Sequence, residues 1–181
     1  RTIIHELKQW KDSKDRKPLM MLGARQVGKT SVLKKFGEDC FDHCAYFSLD
    51  EEEGVCDIFR KTKNPLQIIE QLSYLTSEPI LPHHTLLILD EIQDCPEAIS
   101  AMKYFCEKTP EYAVACAGSL LGLAFGHQGF SFPVGKVDHM NMYPVTFSEF
   151  LEQRDARLYQ YYMSIDSLEP LPDVFFDRLS Q

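Results

Sequence analysis

Hydrophobic positions along the chain follow two rhythms. Pro18–Leu22 is a short apolar run with the look of a buried strand, and Thr85–Leu89, apolar throughout, reads as a strand covered on both faces. Ala45–Leu49 and Tyr112–Ala117 add two further strands, and Val137–Met142 a fifth with weaker apolar content. Between these runs the spacing turns helical. Ile3, Leu7 and Trp10 share one face of Thr2–Lys11, with Trp10 read as core or as a border to a bound base. Val32, Leu33 and Phe36 mark Thr30–Phe36 as a helix, and Gly37 reads as its C-terminal stop. Asn64 and Pro65 open a helix carrying Leu66, Ile69 and Leu72, and Pro96 opens another through Lys108 with Ala98, Met102 and Phe105 in register. Thr146-Phe-Ser-Glu149 is a capping box before Phe147, Phe150 and Leu151. The acidic Asp50–Glu53 reads as a solvated loop, and Gly122–Gly135, rich in glycine and aromatics, as an irregular one. Asp173–Gln181 has helical spacing in Val174, Phe175 and Leu179 but carries no stop signal, so the expectation is a piece of a longer protein.

Strands alternating with helices at this spacing predict a mostly parallel, five-stranded sheet with helices on both faces, a three-layer α/β/α fold. The 181 residues suffice for one such domain, expected over 1–150, with 151–181 a helical segment leading towards a further C-terminal domain.

The chemistry sits where the first strand gives way to its helix. Gly23-Ala-Arg-Gln-Val-Gly-Lys-Thr30 has two glycines with four residues between them, then lysine and threonine, the pattern of a phosphate-binding loop. Small residues let backbone N–H groups close on phosphate oxygens, and the helix N-terminus adds partial positive charge. The nucleotide-binding residues expected are Gly23, Ala24, Arg25, Gln26, Val27, Gly28, Lys29, Thr30 and Ser31. Lys29 would reach the β- and γ-phosphates, and the Thr30 hydroxyl would ligate magnesium. A second signal follows in Leu86-Leu-Ile-Leu-Asp-Glu91. Asp90, closing a buried strand, can hold the magnesium shell, and Glu91 can polarise a water for attack on the γ-phosphate. Ser119, closing the next strand, suits a sensor of that phosphate. A GTP-binding switch needs glycine where Gln93 stands, and an Asn-Lys-x-Asp motif that this sequence lacks. ATP and magnesium are therefore the ligands expected, with Lys29, Glu91 and Ser119 the catalytic residues and Thr30 and Asp90 the metal ligands.

Composition narrows the class further. A net charge of −8, with no basic run longer than Lys34-Lys35, gives this segment no broad electrostatic grip on nucleic acid. The six cysteines are scattered, as reduced thiols are, and Cys40, His43 and Cys44 have no second pair to complete a zinc site. His83-His84 reads as solvated loop. Apolar runs fall well short of the ~18 residues of a membrane span, so the expectation is a soluble, cytoplasmic protein.

Taken in order, Gly23–Thr30, the Leu-Asp-Glu-Ile-Gln run ending at Gln93, Gly118-Ser119 and Tyr143-Pro-Val-Thr-Phe-Ser-Glu-Phe150 resemble a prokaryotic family of AAA-type ATPases that carry a further C-terminal domain. The resemblance reaches from the first helix to about Leu151, and the Pro-x-x-Phe-x-Glu-Phe element is its most distinctive part. It implies the additional-strand-conserved-glutamate class of P-loop NTPase, with the phosphate-loop strand between those ending at Ser119 and Met142. It also implies a nuclease-like domain beyond Gln181. Many relatives have Gly-Arg where this chain has Gly135-Lys136; Lys136 reads as a strand-edge surface lysine or, if it touches phosphate, as one that keeps the charge but not the bidentate fork.

The expectation is then an ATPase that binds ATP and turns it over slowly on its own. Arg154 and Arg157 are candidates for an external arginine, which a neighbouring copy in a homo-oligomer or the appended domain could instead supply. A nucleotide-gated interaction module and a small-molecule kinase remain the alternatives.

Overall fold

The structure is a computed structural model and describes residues 2–119, 133–165 and 173–179. Most of the loop read over Gly122–Gly135 lies outside them. In chain order the described elements are α1 (Thr2–Asp12), β1 (Leu19–Gly23), α2 (Lys29–Cys40), β2 (His43–Ser48), α3 (Glu53–Lys61), α4 (Pro65–Ser73), β3 (Thr85–Asp90), a 3₁₀ turn (Ile92–Asp94), α5 (Pro96–Lys108), β4 (Ala113–Ser119), β5 (Asp138–Met142), α6 (Phe147–Arg154), α7 (Ala156–Ser164) and α8 (Asp173–Leu179). The chain divides into two compact units, Arg1–Tyr143 and Pro144–Gln181.

In the first unit five strands form one sheet in the order β2-β3-β4-β1-β5. Every pairing is parallel, so the sheet is wholly rather than mostly so. β1 does lie between the strands ending at Ser119 and Met142. Alternation of side chains across the pleat sends residues of one strand into two cores. Met20, Phe47, Leu87, Leu89 and Cys116 pack with α3, α4 and α5 on one face. Leu19, Met21, Leu86, Ile88 and Ala115 pack with α1 and α2 on the other. β3 and β4 are buried along their whole length, as central strands of a sheet covered on both faces must be. Trp10 belongs to the second core, its ring Nε1 donating to Lys17 O at 2.8 Å.

Helix starts follow their local chemistry. Asn64 accepts from Leu66 N–H ahead of Pro65, and both halves of the Thr146–Glu149 capping box are formed. Two sequence expectations fail. Gly37 does not stop α2, which runs on to Cys40. A Cβ at residue 37 would stand 2.8 Å from Cys44 Sγ and 3.4 Å from Leu86 Cδ2. Glycine there lets the helix lie close on β2 and β3, outweighing the roughly 1 kcal/mol that a mid-helix glycine costs. The acidic stretch is not all loop either, because Glu53 begins α3, which buries Val55, Cys56, Ile58 and Phe59.

In the second unit α6, α7 and α8 enclose a small core of Leu151, Leu158 and Phe175. Asp155 caps α7 through the N–H groups of Arg157 and Leu158 and accepts from Arg178 Nε at 2.7 Å. Among the described residues no helix is long and apolar enough to cross a membrane.

Candidate functional site

Parallel strands bring their C-terminal ends to one edge of the sheet. Gly23, closing β1, is in register with Ser119 of β4 on one side and Met142 of β5 on the other, and Asp90 of β3 is in register with Ser48 of β2. The residues singled out in the sequence from three separate segments, Gly23–Ser31, Asp90-Glu91 and Ser119, thus share one rim.

The loop from Gly23 to the head of α2 is a tight turn. Gln26 (φ 62°) and Gly28 (φ 93°) both adopt left-handed backbone, the alternation that gathers successive N–H groups into an anion-binding concavity. Gly28 starts α2 with no side-chain cap, and the helix's first backbone bond runs from Val32 N–H to Gly28 O at 3.0 Å. The first-turn N–H groups before Val32 have no intrahelical acceptor, so this end of the helix suits an anion. Ala24, Arg25, Gln26 and Ser31 are exposed around it, Val27 packs inward, and Thr30 is half-buried.

Lys29 is only 7% exposed, and its Nζ donates to Gly23 O (3.1 Å) and Ala24 O (2.8 Å). A buried ammonium needs such partners. Carbonyl oxygens are weaker partners than phosphate would be, so the side chain folds back on its own loop at little cost to leaving it.

Asp90 is 4% exposed. Its Oδ2 accepts from Thr30 Oγ1 at 2.6 Å and from Tyr46 Oη at 3.1 Å, and its Oδ1 accepts from Glu91 N–H at 3.0 Å. Burial raises the Tyr46 phenol, and the adjacent carboxylate raises it further, which keeps the hydroxyl a donor. Lys34 Nζ lies 3.3 Å from the centroid of the same ring. Glu91 turns the chain out of β3 with left-handed backbone (φ 47°, ψ 45°), a conformation that costs a non-glycine residue about 1 kcal/mol and is concentrated at functional sites. Its Oε2 accepts from Gln93 Nε2 at 2.5 Å. Ser119 is buried at the end of β4, and its N–H donates to Gln93 Oε1 at 3.3 Å.

A hydroxyl and a carboxylate 2.6 Å apart form a hard-oxygen pair that fits magnesium, which favours one or two protein oxygens with phosphate and water completing its shell. Among the described residues there is no group of three or more His, Cys, Asp or Glu that could hold a metal ion without such help.

A sequence profile described as an AAA domain matches residues 15–151. The chain belongs to that family. Its core is an AAA-type P-loop ATPase fold, and solved structures share that fold. Drosophila ORC bound to DNA superposes with a TM-score of 0.56 at 13% identity, over 88% of this chain and 46% of that one. A DnaA replication initiator bound to AMPPCP and single-stranded DNA gives 0.56 at 16% identity, over 99% and 55%. AMPPCP-bound DnaA from Aquifex aeolicus gives 0.50 at 16% identity, over 98% and 53%. The AAA chain thus spans about half the length of these proteins, and at such identities the likeness is one of fold. No curated protein sequence matches it significantly.

Three further residues singled out earlier have surroundings of their own. Lys136 Nζ is 2.9 Å from Glu107 Oε1 in a half-exposed ion pair. Arg154, its guanidinium 5.8 Å from the Phe150 ring centroid, and Arg157 belong to the unit Pro144–Gln181. Two residues of the AAA site were not assigned from sequence. Tyr46 carried no signal beyond its place in an apolar run. Gln93 did, since it closes the Leu-Asp-Glu-Ile-Gln run.

Proposed function

We propose that this AAA domain binds ATP with magnesium at the rim of the sheet and hydrolyses it to ADP and phosphate. The observation that carries the proposal is the Thr30–Asp90 contact of 2.6 Å, formed beside a buried lysine and an uncapped helix N-terminus. Thr30 and Asp90 would hold the metal, whose positive charge would offset the negative charge of the phosphate oxygens.

The chain's own residues supply the rest. The turn Gln26–Thr30 binds phosphate oxygens through backbone N–H groups. Lys29 exchanges the carbonyls of Gly23 and Ala24 for β- and γ-phosphate oxygens. Tyr46 holds Asp90 in place by its hydrogen bond. Glu91 accepts a proton from water as the water oxygen attacks the γ-phosphorus, the bond to the β–γ bridging oxygen breaks, and ADP leaves. Ser119 would meet the γ-phosphate with its hydroxyl, a role supported by its register with Gly23.

An arginine supplied from outside the site raises such rates by about 10³–10⁵-fold, and Arg154, Arg157, a second copy of the chain or an appended C-terminal domain would be its source. Turnover by the chain alone is therefore slow. Phosphate release from Mg-ATP, followed with a phosphate sensor, should proceed at less than about one turnover per second, below the usual range for phosphoryl-transfer enzymes, and should stop when EDTA removes the metal. Release that continues undiminished in EDTA would rule out the assigned metal pair.

A second reading, a nucleotide-gated interaction module in which hydrolysis is incidental, draws on the separate compactness of Pro144–Gln181. In it, bound nucleotide sets the state of that unit for a partner to read. A cytoplasmic location fits either reading.

A further inference from the structure

We propose that Gln93 is a positioning residue that sets the Glu91 carboxylate and ties it to the end of β4. The inference rests on the hydrolytic reading above and adds to it a residue that touches neither phosphate nor metal.

Gln93 sits in the 3₁₀ turn Ile92–Asp94, held by Asp94 N–H to Glu91 O (3.0 Å) and Cys95 N–H to Ile92 O (3.1 Å). Its side-chain amide is used at both ends. Nε2 donates to Glu91 Oε2 at 2.5 Å and to Asp94 Oδ2 at 3.1 Å, while Oε1 accepts from Ser119 N–H at 3.3 Å. The chain makes room for this bridge. A Cβ on Gly118 would stand 3.0 Å from Gln93 Oε1 and 3.2 Å from Ile92 Cγ2, so a side chain at 118 would push the amide away.

A side-chain amide can both donate to a carboxylate and accept from a backbone N–H, here that of Ser119 at the end of the neighbouring strand. Held through Oε2, Glu91 keeps Oε1 for the proton of the attacking water. Hydrogen bonds to charged groups are stronger than those between neutral ones, which favours one carboxylate rotamer over its alternatives. The bridge also joins two functional residues. A contact that moves Ser119 moves Gln93, and with it the base, so the strand that senses the γ-phosphate and the group that activates water shift together.

Q93L and Q93E test this beside the parent and E91Q, all in the same 181-residue chain. Leucine keeps the volume and loses all three hydrogen bonds. Glutamate keeps an acceptor for Ser119 N–H but sets a second negative charge against Glu91. The expected result is a kcat lower by about tenfold or more in both variants, with KM and the affinity for Mg-ATP within about threefold of the parent. In nucleotide-free Q93L, hydrogen exchange at the Ser119 amide, read by NMR, should be about tenfold faster or more, and in Q93E near the parent's. Turnover in Q93L within about twofold of the parent, or unchanged exchange at Ser119, overturns the assignment. If the parent chain releases no phosphate, the hydrolytic reading fails; if E91Q keeps full turnover, the base lies elsewhere and Gln93 has no carboxylate to set; if E91Q loses turnover and Q93L keeps it, only the role of Gln93 fails.

Discussion

Glu91→Gln is expected to bind Mg-ATP as the parent does and to hydrolyse it about 10²–10⁴-fold more slowly. The substitution keeps the shape of the side chain and removes its ability to take a proton. Binding should survive because the phosphate-binding residues lie on a different segment, the Gly23–Thr30 loop, and because Asp90 keeps its bonds to Thr30 and Tyr46. The two readouts therefore separate, and a fluorescent ATP analogue together with a phosphate-release assay records both. A variant with turnover within about threefold of the parent would move the base elsewhere. If a cellular function survives E91Q although hydrolysis is gone, the gated-module reading becomes the better one.

Gly23→Ala is expected to destabilise the fold by about 3 kcal/mol, which for a chain of this size lowers Tm by roughly 6–12 °C. Gly23 is the last residue of β1, and an added Cβ would lie 2.3 Å from Met142 O and 3.3 Å from Val27 Cγ2. The first of these is backbone in the neighbouring strand and has no rotamer with which to yield. Relief requires β5 to move from β1 at the point where the sheet becomes the phosphate loop, so nucleotide affinity should fall with stability. Thermal melts of parent and variant, with and without Mg-ATP, measure both losses. An unchanged Tm would contradict the strand spacing seen here.

Much of this was legible along the chain because local chemistry and global fold agree. Apolar runs at Pro18–Leu22 and Thr85–Leu89 became β1 and β3, and Pro65 and Pro96 opened α4 and α5. The rim residues could be named in advance because strand–loop–helix order in a parallel sheet forces their convergence. What was misread depended on three-dimensional neighbours. Gly37 looks like a stop in one dimension and is a close-packing position in three, set by Cys44 from β2. The helix Glu53–Lys61 starts within an acidic run with no side-chain cap, although the spacing of Val55, Ile58 and Phe59 is helical. β5, reading Asp-His-Met-Asn-Met, is an edge strand with only Met142 fully buried, so its periodicity is faint. The pairing of Tyr46 with Asp90 needed the parallel register of β2 on β3 to become visible.

The most direct test of the nucleotide site is calorimetric titration of Mg-ATP into the folded chain and into Lys29→Ala. The parent should bind with a Kd in the micromolar range, worth about −8 kcal/mol, and the variant at least about 100-fold more weakly, since it gives up the one ammonium held inside the loop. A parent chain that gives no heat of binding, or a variant that binds as tightly as the parent, would contradict it.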